Sequence, residues 1–156
     1  MMDIESARAA VAAFEDLLDK TDAESAHARV RPGAWTLAEI TGHLIDSASN
    51  NHQRFARLRL GGLEGFPGYD AEPWVAAQGY NSCDFLTLAT LWSSYNAFLL
   101  HLAETTPEAA LENAWVTPAG PKTLGFLIGD YYEHLKMHAG HYAQRLAEVR
   151  AALAGS

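Results

Sequence analysis

Three of the chain's seven histidines fall in the segment Glu133-His134-Leu135-Lys136-Met137-His138-Ala139-Gly140-His141. Histidine titrates nearest neutral pH and is the commonest side-chain metal ligand. Positions 134 and 138 are four apart and 138 and 141 three apart. On an α-helix such residues share a face, with Cβ atoms about 5–6 Å from one another. Imidazoles placed in this way can reach one ion at a Zn–N distance of roughly 2.0–2.1 Å. A second segment, His43-Leu44-Ile45-Asp46, adds another imidazole far away in the chain. His43, Asp46 and Asn50 lie on successive turns and form a polar stripe on an otherwise apolar stretch. Polar groups facing a helical core are costly unless paired or metal-bound. Helix bundles build internal metal sites from side chains that project inward from several helices. His43, His134 and His138 are therefore the candidate metal ligands. Three neutral imidazoles leave positions open for water or substrate, the pattern of a catalytic site.

The spacing allows His141 three roles: a fourth ligand, a hydrogen-bond partner of a ligand, or a general base. Asp46 and Glu133 are candidates to accept hydrogen bonds from imidazole N–H groups. His27, His52 and His101 have no matching partners in the sequence.

These residues need helices to position them, and the periodicity supplies four. Ile4, Ala7, Val11, Phe14 and Leu18 predict an amphipathic helix over residues 3–19, with Asp3 as its N-cap. Residues 20–34 read as a polar connector ending in the turn signal Arg31-Pro32-Gly33-Ala34. Thr36 and Glu39 form a capping box, with Trp35 and Ile40 spaced as a hydrophobic staple. The helix they open runs to about Leu60, where Gly61-Gly62 stops it. A third helix spans 83–104, capped by Ser82, with Phe85, Leu88, Leu91, Trp92, Tyr95, Leu99 and Leu102 as its buried stripe. A fourth spans about 123–153, with Leu127, Ile128, Tyr131, Leu135, Met137, Tyr142, Leu146 and Val149 close to a helical period. Residues 61–82 form a long connection rich in glycine and aromatic residues; connections of this length are often binding loops, and the aromatics can equally serve to tuck the loop onto the bundle. In the second connector, residues 107–122, Trp115-Val116 can pair as a short strand. The expectation is one all-α domain over residues 1–156, a four-helix bundle with one long crossover loop.

Composition bounds the function. A formal net charge of −8 argues against a nucleic-acid binder, which needs a basic face. No apolar run reaches the roughly 18–20 residues of a membrane span. The start Met-Met-Asp-Ile-Glu-Ser lacks the basic and apolar regions of a signal peptide. Cys83 is the lone cysteine, so no internal disulfide or cysteine-rich zinc site can form. A cytoplasmic, reducing location is expected, with neither membrane nor nucleic acid as partner.

Arg31-Pro32-Gly33-Ala34-Trp35-Thr36-Leu37-Ala38-Glu39-Ile40 followed by His43-Leu44-Ile45-Asp46-Ser47 resembles the first ligand segment of the DinB-like (YfiT-like) metalloenzyme superfamily. Tyr69-Asp70-Ala71-Glu72-Pro73-Trp74 resembles the tyrosine–acid–tryptophan segment of its YfiT-like branch, and His134-x-x-x-His138-Ala139-Gly140 resembles the second ligand segment. The resemblance spans residues 31–146 in the same order. It implies a four-helix bundle, a divalent metal such as nickel or zinc on His43, His134 and His138, and a homodimer. Characterised members are transferases and isomerases that use bacillithiol, mycothiol or glutathione. Many relatives place Gln where this chain has His141.

The reading that follows is a metal-dependent transferase. A low-molecular-weight thiol bound as thiolate would attack a small electrophile. Tyr69, Asp70, Trp74 and Asn50 would line the substrate pocket, with His141 and Asp46 handling protons. Two readings compete: a hydrolase in which the same metal activates water, and a stress-related bundle that binds metal or ligand without turnover.

Overall fold

The computed structural model describes residues 3–155. Of the span expected to form one domain, Met1, Met2 and Ser156 lie outside the described residues. Four long helices form the bundle: α1 (Ile4–Asp19), α3 (Leu37–Leu58), α5 (Phe85–Glu104) and α6 (Leu124–Ala154). Two short helices, α2 (Ala23–His27) and α4 (Ala71–Gln78), sit in the connections. Strands β1 (Ala114–Thr117) and β2 (Gly120–Thr123) make an antiparallel hairpin ahead of α6. Both α1 and α3 pack against α5 and α6, so the helices ring the core in the order α1, α5, α3, α6. None of the described helices is long and apolar enough to cross a membrane.

The helix starts follow from local chemistry. Asp3 accepts from the backbone N–H groups of Glu5 and Ser6. The capping box is complete: Thr36 Oγ1 accepts from Glu39 N at 3.2 Å, and Glu39 Oε1 accepts from Thr36 N at 3.0 Å. These bonds satisfy amide groups that a helix start leaves open. The box fixes the entry of α3, and so the position of His43 two turns on. The third long helix begins later than the sequence indicates. Asp84, and not Ser82, caps it, accepting from Thr87 N at 3.0 Å. Ser82 instead closes a short 3-10 turn with Tyr80.

Two expected core residues face outward: Leu91 and Met137 are each 46% exposed. The long connection is largely ordered by α4. Pro73 stands in its first turn, where no amide donor is needed, and Gly79 ends it at φ +61°. The stretch expected to be a polar connector holds α2, capped by Asp22 through Ser25 N at 2.7 Å. The hairpin is longer than the Trp115-Val116 pair indicates. It also recruits the chain just after α3, as Leu63 exchanges backbone hydrogen bonds with Ala114 and Val116. That contact pins the hairpin over the C-terminal half of α3.

Candidate metal centre

The middle of the groove between α3 and α6 holds an imidazole pair. His43, 8% exposed, and the half-buried His138 bring their Nε2 atoms to 3.4 Å. The rings meet edge to face with centroids 4.8 Å apart. Trp35 also stands against His43, ring centroids 5.2 Å apart. It therefore packs on the imidazole, and it lines one cavity together with Ile40, its expected staple partner.

Burial is the main force on these histidines. It holds the His43 imidazole below its ordinary pKa, against the opposing charges of Asp46 and Glu72. Burial, followed by repulsion from His43, His141 and His134, pushes His138 down to about 4. Both rings are thus neutral at neutral pH and keep a lone pair for a Lewis acid. Two ligands bound tetrahedrally to zinc at its usual distance stand about 3.3 Å apart. The observed 3.4 Å separation matches that spacing. His43 Nδ1 is buried and has no hydrogen-bond partner.

A model of the DinB superfamily matches residues 6–142. The chain belongs to the DinB superfamily. A protein of Oceanobacillus iheyensis named "Putative metal-dependent hydrolase OB0782" is 29% identical over 115 residues, which cover 71% of this chain. The same stretch covers 64% of that relative, so the match leaves over a third of its length aside. Among solved structures, YfiT from Bacillus subtilis is called a probable metal-dependent hydrolase with an unusual four-helix bundle topology. It is similar with a TM-score of 0.78 at 19% identity, over 91% of this chain and 82% of YfiT. A mycothiol-dependent maleylpyruvate isomerase is similar with a TM-score of 0.66 at 16% identity, over 94% of this chain and 58% of the isomerase. At such identities the two structures speak for the shared fold.

The other expected residues of this DinB-superfamily chain fall around the imidazole pair to different degrees. His134 is exposed, its ring centroid 6.4 Å from that of His138 and its Nδ1 3.5 Å from Asp130 Oδ2 on its own helix. Among the described residues, no three His, Cys, Asp or Glu side chains are already gathered to hold one ion. Of the three expected ligands, His43 and His138 face each other, while His134 stands apart beside Asp130. His141 is exposed, with its ring 5.8 Å from His138. Asp46 is buried beside the pair but bonds elsewhere, its Oδ1 accepting from Tyr80 OH at 2.5 Å and from Gln78 Nε2 at 2.8 Å. Its Oδ2 has no partner. Glu133 is exposed and pairs with Lys136 at 2.8 Å.

Gly42 explains how Tyr80 reaches Asp46. A Cβ at position 42 would stand 2.1 Å from Tyr80 Cδ2, so only glycine lets the ring lie on α3 beside His43. Burial, then the hydrogen bond to Asp46, holds the Tyr80 hydroxyl far above its ordinary pKa, so it stays a donor.

Two cavities flank the imidazole pair along the groove. The first, of about 290 Å³, is lined by Trp35, Ile40, Glu72, His138, His141 and Arg145. The second, of about 310 Å³, is lined by Ser47, Asn51, Arg54, Tyr69, Lys122 and His134 among others. On α3, Ile40 lies before His43 and Ser47, Asn51 and Arg54 lie after it. On antiparallel α6 the order reverses, so the pair stands between the two spaces.

Tyr69 lines the second cavity as the sequence indicates, with its ring 5.0 Å from that of Trp74. Trp74 itself is 40% exposed, and Asp70 is exposed at the start of α4. Asn50 does not reach the cavity, since its amide donates to the carbonyl of Asp46 at 2.9 Å; its neighbour Asn51 lines the wall. Sequence reasoning also passed over Glu72, Arg145, Arg54, Lys122 and Asp130. Asp130 had a readable signal, a carboxylate one helical turn before a candidate ligand. The others become neighbours only through tertiary packing.

Proposed function

We propose that this chain is a divalent-metal-dependent enzyme for small molecules, with His43, His138 and His134 holding the ion. The observation that carries this reading is the 3.4 Å approach of two Nε2 atoms whose rings burial keeps neutral. His134 sits on an exposed face one turn from His138, where a change of rotamer costs little. The relatives' names as metal-dependent hydrolases support a divalent ion, zinc or nickel, here as well. When bound, such an ion supplies Lewis acidity that lowers the pKa of a coordinated thiol or water.

The chain's own residues do the rest. His43 and His138 present unprotonated nitrogens, and Trp35 shields His43 from water. Asp46, fixed by Tyr80 and Gln78, places a negative charge beneath the pair. The two flanking cavities admit two reactants, and this favours transfer over hydrolysis. In that reaction a low-molecular-weight thiol loses its proton to His141, its sulfur bonds to an electrophilic carbon, and the leaving group departs with the bonding electron pair. The printed name of the mycothiol-dependent isomerase supports a thiol as cosubstrate. Hydrolysis is the second reading, favoured by the names of the hydrolase relatives; water would then replace the thiol.

Elemental analysis of tag-free protein beside a His43→Ala, His138→Ala double variant tests the centre. An equimolar metal in the wild type and none in the variant is expected. The wild type should also consume thiol in the presence of an electrophile. Absence of metal even after reconstitution with zinc or nickel would overturn the reading and leave a ligand-binding bundle.

A further inference from the structure

The second cavity contains a charge that the chain itself leaves unanswered. Arg54 is 8% exposed, yet it makes no hydrogen bond or ion pair with any described residue, and its Nε is buried without a partner. Its guanidinium lies 4.3 Å above the Trp115 ring. That ring is held by the hairpin and by a hydrogen bond from Nε1 to the carbonyl of Phe66 at 3.0 Å. A stacked ring stabilises a cation but cannot satisfy five N–H donors. Nε is the nitrogen that burial leaves without an acceptor, and buried donors of a charged group are normally paired. The acid on the same wall, Asp130, stands by His134 and forms no ion pair with Arg54. Lys122, half-buried on β2, lines the same space and forms no ion pair either. Two unpaired cations thus face one cavity in a chain whose net charge is −8.

We infer that this cavity is an oxyanion subsite in which Arg54, assisted by Lys122, binds the carboxylate or phosphate of a small acidic molecule beside the His43–His138 pair. The planar fork of arginine matches either group with two parallel hydrogen bonds. Tyr69 and Ser47 line the same space, the Ser47 hydroxyl bonded to that of Tyr69, which adds a polar wall for the rest of the molecule. A volume of about 310 Å³ suits a metabolite and not a polymer. That this molecule is a substrate rests on the proposed function, whereas its binding does not.

Titration calorimetry with succinate and with inorganic phosphate, at fixed ionic strength in chloride, tests the assignment on the full chain. It should be run with and without added zinc, on wild type, Arg54→Gln, Arg54→Lys and Lys122→Gln. Metal-free wild type should bind at least one of the two anions, and which one binds tells carboxylate from phosphate. Arg54→Gln should weaken that binding about tenfold or more, and Lys122→Gln several-fold. Should Arg54→Gln not fold, the other two variants carry the comparison. No binding of either anion tighter than about 10 mM, or equal binding by all folded variants, overturns the inference. Binding that requires zinc and ignores Arg54 also overturns it, because the anion would then be a metal ligand. Arg54-dependent binding in a protein that takes no metal upholds the subsite while the metal reading fails.

Discussion

The seam of α1 with α5 and α6 and the groove between α3 and α6 bury comparable side chains under different rules. In the seam, Phe14 meets Trp92 and Tyr142 edge to face with ring centroids 4.6 and 5.0 Å apart. The Tyr142 hydroxyl sits 2.8 Å from Thr21 Oγ1, which in turn donates to the carbonyl of Leu17. The polar atoms left without partners on this side, Trp92 Nε1 and the Tyr132 hydroxyl, belong to neutral groups. Along the groove, one helix carries three buried atoms without partners, His43 Nδ1, Asp46 Oδ2 and Arg54 Nε, and all belong to ionisable side chains. Buried neutral donors cost about 1–3 kcal/mol when unpaired, and charges cost more. Both regions leave polar atoms unpaired, but those on α3 belong to ionisable side chains, where the cost is larger.

The largest effect that separates the two regions is expected at Phe14, which is fully buried. Phe14→Ala should cost about 3–5 kcal/mol of stability in urea unfolding. Metal bound per folded chain should not change, because the ring touches neither cavity. A folded Phe14→Ala protein with depleted metal would show that the seam and the groove are one unit.

Gly42→Ala tests the border between them. The new methyl would collide with the middle of the Tyr80 ring and not with a mobile end. Overpacking costs about 1–3 kcal/mol, partly offset by up to about 1 kcal/mol from alanine's helix preference. A modest drop in melting temperature should come with loss of the Tyr80–Asp46 hydrogen bond and weaker metal retention. A variant that melts above wild type would refute the close packing of Tyr80 on α3.

How much of this was legible depended on the range of the interactions. The capping box at Thr36 and the histidine spacings are local patterns, and they sufficed for the four long helices and for the facing of His43 and His138 across the groove. Helix α4 escaped because only Val75 of its eight residues is buried, so it presents no apolar face to read. Its local marks, Pro73 in the first turn and Gly79 at the end, were available but sat among other glycines and prolines. Asn50 shares a stripe with Asp46, yet on a helix the adjacent residue, Asn51, faces the cavity. Arg54 could not be read at all. Its burial depends on Trp115, which reaches it only after the hairpin docks on Leu63.

Removal of a polar group gives a sharper contrast than removal of a large ring. Thr21→Val keeps the shape of the seam but takes the acceptor from the buried Tyr142 hydroxyl, whose pKa burial has already raised to about 12. The expected loss is about 1 kcal/mol by chemical denaturation, with metal content unchanged. No loss would mean that the Tyr142 hydroxyl finds another acceptor, for which Thr41 is placed.

The smallest expected effect on stability belongs to His43, and its sign carries the argument. The imidazole is 8% exposed, lies among apolar side chains of α3, and leaves Nδ1 without a partner. Its Nε2 faces only another neutral imidazole at 3.4 Å, a poor hydrogen bond by distance. Leucine at this position would lose almost nothing by way of polar contacts and would gain apolar burial. Metal-free His43→Leu should therefore unfold within about 1 kcal/mol of metal-free wild type, and on the more stable side. Metal-loaded wild type should in turn exceed the variant, since binding to the folded state alone adds stability by mass action. If His43→Leu instead lost as much as Thr21→Val or more, the imidazole would be a structural member of the core like Tyr142. The groove would then differ from the seam in shape alone and not in what it is built to hold.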